Sequence, residues 1–232
     1  AFLILAFCMG TATTWAWSPS PAGVGVQVAA GRGDDALSPA VTAQLDEFVQ
    51  SQMAAVGIPG VAYAITGPTT VLHRGFFGVN GADQPVTPTT AFLWGSLAKP
   101  VAATVAMRLV ESGALQLDAP ITTYLPAFRL RDRAVSDQIT VRQLLNQTSG
   151  IPTSAALTDH FAADRQAAAV LPALAEVAAV SAPGAEHHYS STNYLLLTAV
   201  IEAVTGRPYV DVLTAHVLDP LGMATAVTTA EQ

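Results

Sequence analysis

Residues 92–99 read FLWGSLAK, and within them Ser96, Leu97, Ala98 and Lys99 form an S-x-x-K tetrad at the start of a helix expected from about Ser96 to Ser112 and stopping at Gly113. Residues three apart share one face of a helix, so the Lys99 ammonium can reach the Ser96 hydroxyl. A helix N-terminus beside Gly95 presents unpaired amides and the positive end of the dipole, which suits an activated alkoxide and a developing oxyanion. A serine nucleophile there needs a base, and a desolvated lysine serves as one. Lys99 is the only lysine in the chain. Taken alone the spacing is a weak signal: with twelve serines in 232 residues, a lone lysine follows one at this distance about one time in twenty by chance. The plain alternative is an N-capping serine with a solvated lysine.

Upstream, Val41, Leu45, Phe48, Val49, Met53 and Val56 recur at spacings of three and four and predict a helix, with Ser38 as N-cap, Pro39 at its first position and Gly57 beyond its end. Gly60 to Thr66 and Thr69 to Phe77, rich in Val, Ile, Tyr and Phe and separated by Gly67 and Pro68, predict an antiparallel hairpin. Downstream of the tetrad helix, in which Val101, Ala102, Val105 and Leu109 face a core, four further helices are expected at Thr140–Gln147, Ala162–Val180 (interrupted at Pro172), Thr192–Thr205 and Pro208–Val217. A two-stranded hairpin is marginal without further strands or a packed helix. The strands that would complete the sheet are expected beyond Gln232.

The chain carries ten basic against seventeen acidic residues, a net charge of −7, with 51% apolar and 12% charged residues. It has enough apolar side chains for a sizeable core, and disorder is excluded for most of it. Its one basic cluster, Arg129, Arg131 and Arg133, makes no extended cationic face for nucleic acid. Of residues 1–17 thirteen are apolar and none is charged, as in the apolar region of a secretory signal. Crossing a membrane needs about 20 apolar residues, and Gly10, Thr11, Thr13 and Thr14 break the run early. Cys8, the only cysteine, lies inside it, so the mature chain would have no disulfide, which fits a bacterial exported protein. Phe7 before Cys8 is bulky where a lipoprotein signal takes a small residue. The expected organisation is a partial signal peptide at 1–17, a Ser, Pro, Gly and Ala-rich linker at 18–37, and one domain at 38–232 truncated at its C-terminus, with periplasmic or extracellular localisation and no stable membrane insertion after cleavage.

The tetrad does not stand alone. FLWGSLAK (92–99), LQLDAPI (115–121), TVRQLLNQTSGIP (140–152), PGAEHHYSSTNYLLL (183–197) and PLGM (220–223) follow one another in an order that resembles the serine β-lactamase and penicillin-binding-protein superfamily, in the branch of class C β-lactamases and their esterase and peptidase relatives. The resemblance extends over nearly everything from Ser38 onward. It implies an α+β fold, with an antiparallel sheet flanked by helices, an all-helical region, and C-terminal strands missing from this chain.

It also implies site roles. Ser96 would be the acylated nucleophile, Lys99 its base and proton shuttle, and Tyr189 the tyrosine of the second motif, Y-x-N, sharing the proton work with Lys99. The asparagine of that motif is replaced by Ser191, which would line the substrate pocket with a single hydroxyl in place of an amide. Asn193 is off the motif spacing. Ser149 is read as structural, with Gly150 as a helix C-cap, and Asp118 as a turn residue. His187 and His188 are adjacent and His73, His160 and His216 isolated, so no metal site is expected, and the resemblance requires no cofactor. No G-x-S-x-G elbow occurs. The family's third element, a K-T-G or H-x-G triad on a strand after PLGM, is expected nowhere in the chain. The resemblance thus implies a serine hydrolase acting through an acyl-enzyme on a β-lactam, a D-amino-acid peptide or an ester. The replaced asparagine motivates an alternative, a non-catalytic peptidoglycan- or ligand-binding relative. A membrane-held interaction protein with an uncleaved 1–17 segment is a third reading.

Overall fold

A computed structural model describes residues 2–7, 36–153, 155 and 167–226. The chain divides into two compact units, Ala1–Trp94 and Gly95–Gln232.

In the first unit, helix α1 spans Pro39–Val56; the Ser38 hydroxyl accepts from the Val41 amide, and Gly57, at φ 74°, closes the helix in the left-handed conformation that glycine adopts without a Cβ penalty. Strands β2 (Gly60–Thr66) and β3 (Val71–Gly78) form the expected hairpin, starting β3 two residues later than the sequence suggests. A third strand, β1 (Phe2–Phe7), pairs antiparallel with the other edge of β2, Phe2 opposite Thr66 and Phe7 opposite Val61. The sequence does not anticipate it: these residues fall in the run read as an export signal. An apolar segment beside an open strand edge satisfies that edge's unpaired backbone groups. The rest of 1–17, and the linker up to residue 35, lie outside the described residues. Met53 of α1 packs with Val61 and Tyr63 of β2. The apolar stripe of α1 is only partly covered, with Phe48 45% and Val56 44% exposed.

An H-x-G tripeptide does stand at His73, Arg74 and Gly75, contrary to the expectation that neither version of the third motif occurs. It lies on β3, ahead of Ser96 in the chain, and His73 Nε2 is 2.8 Å from Asp46 Oδ1. Asp46 also accepts the Tyr63 hydroxyl at 2.6 Å. Burial raises the Asp46 carboxyl, but these two hydrogen bonds and the His73 charge outweigh it and hold the group below the usual carboxylate range.

The second unit is helical. A 3₁₀ turn at Gly95–Leu97 runs into α2 (Ala98–Glu111), so the tetrad does open a helix. Two short helices follow, α3 (Arg133–Ser136) and α4 (Val141–Leu145), the latter opened by a capping box in which Thr140 and Gln143 exchange side-chain and backbone hydrogen bonds. The expected helix over 162–180 is described only from residue 167. There it is a 3₁₀ turn at Ala167–Val170 and a short α5 (Leu171–Leu174), with Pro172 inside the first turn where its missing amide costs nothing. Residues 175–180 are not helical because their backbone groups are engaged elsewhere: the Val177 carbonyl accepts from Arg131 and the Val180 amide donates to Gly150.

Helix α6 spans Ser191–Thr205, and α7 (Tyr209–Leu213) continues into a π-helical turn at Thr214–Leu218. One core unites these elements: Val105, Ala106 and Leu109 of α2 meet Leu196, Leu197, Val200 and Ile201 of α6, together with Ile121, Phe128, Ile139, Leu144 and Leu174. Each fully buried Leu or Ile contributes about 1.5–3 kcal/mol, and the shared core sets how the N-terminal ends of α2 and α6 face one another. Among the described residues no helix is long and apolar enough to cross a membrane.

Candidate active site

All four residues singled out in the sequence meet in the second unit. Ser96 lies in the 3₁₀ turn and Lys99 one residue into α2. Their spacing puts Lys99 Nζ 3.1 Å from Ser96 Oγ. Tyr189 comes from the extended segment before α6 and donates its hydroxyl to Ser96 Oγ at 2.6 Å. Ser191, the first residue of α6, accepts from Lys99 Nζ at a longer 3.4 Å. The ammonium lies 5.0 Å from the centre of the Tyr189 ring and 5.8 Å from that of Tyr194, within cation–π range.

The Tyr189 side chain is half exposed. Hydrogen bonding to Lys99, and then to Ser96, holds its phenol below the ordinary tyrosine range, against an opposing effect of burial. Tyr194 moves the other way: burial, and next the Tyr189 charge, push its phenol up, and its hydroxyl donates to the Leu145 carbonyl at 3.1 Å. The neighbouring tyrosines therefore differ, and Tyr189 is the one poised to lose its proton. Ser96 Oγ now accepts from both Tyr189 and Lys99, which uses its two lone pairs. When Tyr189 is a phenolate, the same 2.6 Å contact carries the proton the other way, from Ser96 to Tyr189. The arrangement can therefore generate a serine alkoxide with a cation beside it.

Sequence reasoning missed the support beneath Tyr189. Ser149 is buried as a structural residue would be; its hydroxyl donates to Asn193 Oδ1 at 2.6 Å and accepts from the Ile151 amide at 3.0 Å. Asn193 is fully buried and holds Gln147 rather than facing the site. Gly150 is not the cap of α4, which ends at Leu145 with Asn146 as C-cap; the left-handed residue just beyond is Gln147, at φ 65°. Gly150, at φ 77°, is needed for another reason, because a Cβ there would run into the Ser181 carbonyl. Sequence reasoning also passed over Tyr194, whose signal was its place three residues after Ser191 on the same helix. Asp118 is held in an exposed bidentate pair with Arg142, and His188 pairs with Glu186 at 3.0 Å. Among the described residues no group of three or more His, Cys, Asp or Glu side chains could hold a metal.

A serine, a lysine and a tyrosine thus converge where the starts of two core helices meet, and the chain has the β-lactamase/transpeptidase fold. The chain belongs to the Beta-lactamase family, whose profile matches residues 45–231. It is 34% identical over 182 residues to Penicillin-binding protein 4 of Amycolatopsis lactamdurans, covering 75% of this chain and 46% of that protein. Among solved structures it resembles a D-stereospecific amidohydrolase from Streptomyces sp. (30% identity, TM-score 0.61, 75% of this chain and 54% of that one). It also resembles a class C β-lactamase in complex with cefoxitin (27% identity, TM-score 0.67, 79% and 50%). The chain thus spans about half the length of these relatives.

Proposed function

We propose that this chain carries the acylating site of an exported bacterial serine hydrolase. Ser96 Oγ attacks the carbonyl carbon of a β-lactam, a D-amino-acid peptide or an ester, and its proton passes to the Tyr189 phenolate, paired with the Lys99 ammonium. The C–O bond of an acyl-enzyme forms as the C–N or C–O bond to the leaving group breaks, and the leaving group takes the proton from Tyr189. Water, deprotonated by the same pair, then attacks the acyl carbon and returns Ser96. The observation that carries the reading is the double contact on Ser96 Oγ, from Lys99 at 3.1 Å and Tyr189 at 2.6 Å. The relatives, a penicillin-binding protein, a D-stereospecific amidohydrolase and a β-lactamase, support the substrate classes. The apolar, uncharged residues 1–17 support export.

The test is to express the complete gene product and incubate it with a fluorescent penicillin or a fluorophosphonate. Label on the Ser96 peptide supports the reading, and its absence overturns it. The alternative, a binding relative without turnover, is favoured by Ser191: its hydroxyl reaches Lys99 only at 3.4 Å and lacks the two donors of an amide. That alternative expects saturable ligand binding without label.

A further inference from the structure

Tyr189 is half exposed, so packing covers only part of its ring. Its main chain, in contrast, is gripped on both sides by one residue. The His188 amide, preceding it, donates to the Gln147 carbonyl at 2.8 Å. The Ser190 amide, following it, donates to Gln147 Oε1 at 2.9 Å. That amide hydrogen fixes which atom of the Gln147 side chain faces it, since only the oxygen accepts. Asn193 must then offer Nδ2 to the same oxygen, which it does at 2.7 Å, leaving Oδ1 to accept from Ser149. Gln147, Ser149, Ser190 and Asn193 are all buried, so this chain of hydrogen bonds is shielded from water and stiff.

Gln147 also adopts φ 65°, where a non-glycine residue is uncommon and asparagine, not glutamine, is the usual exception. A long acceptor in a left-handed conformation is what the two flanking amides require: the conformation aims the carbonyl at residue 188 while the side chain spans to residue 190.

We propose that Gln147 is a positioning residue that aims the Tyr189 hydroxyl at Ser96 by clamping the main chain at residues 188 and 190, one on each side of it. The proposal deepens the hydrolase reading and rests on it for its effect on catalysis. Asn at position 147 tolerates the backbone conformation but is one methylene too short to reach the Ser190 amide, and Met keeps the length without the acceptor.

Two readouts in the complete gene product test it. The first is the rate of fluorophosphonate labelling at Ser96 in the parent, Gln147→Asn, Gln147→Met and Gln147→Glu, with melting temperatures measured alongside. The second is the ionisation of Tyr189 alone, obtained as the tyrosinate absorbance difference between each protein and its Tyr189→Phe counterpart. Gln147→Asn is expected to stay folded with a lowered melting temperature, since the buried Ser190 amide loses its acceptor, and to label at least tenfold more slowly, with the Tyr189 titration moved upward as the phenol leaves Lys99. Gln147→Met, where it folds, should do the same, and Gln147→Glu, which keeps an acceptor, should recover part of both. Parent-like labelling and titration in Gln147→Asn overturn the proposal, as does slow labelling with an unmoved titration. If the parent fails to label while the titration moves in Gln147→Asn, the clamp stands and the hydrolase reading falls.

Discussion

The Tyr189 hydroxyl and Ser96 Oγ are 2.6 Å apart although 93 positions separate them in the chain. The contact exists because α2 and α6 share a core, and Lys99 lies against both groups. Ser96 and Tyr189 are exposed, so chemistry there can be altered with little effect on folding.

Ser96→Ala is expected to abolish covalent labelling by fluorophosphonate. Lys99→Met and Tyr189→Phe should each slow acylation by about 10²–10⁴-fold, the range for losing a side chain positioned for proton transfer. Because these side chains lie outside the packed core, melting temperatures should stay near the parent's, with changes within about 0.5 kcal/mol. Intact labelling kinetics in Tyr189→Phe would remove the phenol from the mechanism.

The lowered Tyr189 phenol makes a pH prediction with a definite sign. A depressed value means that the anion is populated at lower pH than in an ordinary tyrosine, so acylation should rise as pH increases through that lowered value and level off above it. Hydrogen bonding to Lys99 is the largest cause, so Lys99→Met should move the rise to higher pH, and Tyr189→Phe should eliminate it. A pH–rate profile of labelling reads all three.

In the first unit, Asp46 accepts from both Tyr63 and His73. Asp46→Ala leaves the buried Tyr63 hydroxyl without this partner and should cost about 1–3 kcal/mol in urea unfolding near neutral pH. The folded carboxyl lies below its usual range, so its contribution is present above the unfolded value and is lost as pH falls through the folded one. The parent and Asp46→Ala should therefore converge in stability in acid.

Two left-handed glycines separate conformational strain from collision. Gly57 has open space where a Cβ would go, so Gly57→Ala should cost about 1 kcal/mol from the backbone alone. At Gly150 the added methyl also meets the Ser181 carbonyl, and Gly150→Ala should cost about 3 kcal/mol as the 180–181 segment is forced away. Equal losses in chemical denaturation would contradict this account.

Elements with strong local signals were legible in the sequence. Ser38, Pro39 and Gly57 delimit α1 within a residue, and the hairpin and α6 fall close to their expected bounds. The helix expected over 162–180 was not so legible: past Leu174 the described backbone bonds to Arg131 and Gly150, far away in the chain, and no local pattern encodes such bonds. Pairing of Phe2–Phe7 with β2 was hidden for the same reason, because an apolar run reads alike as a signal core or as a strand.

The amino-acid sequence by itself determined the candidate chemistry: one lysine three residues after a serine at a helix start, and a tyrosine in a block of the right order. Helical periodicity is enough to join Ser96 to Lys99. Only tertiary structure decided that Tyr189 reaches Ser96, that Ser191 meets Lys99 at a longer distance, and that Gln147 holds the main chain at the residues before and after the tyrosine. Those contacts depend on packing α2 against α6 and on a left-handed turn after α4, and both are set by buried neighbours distant in sequence.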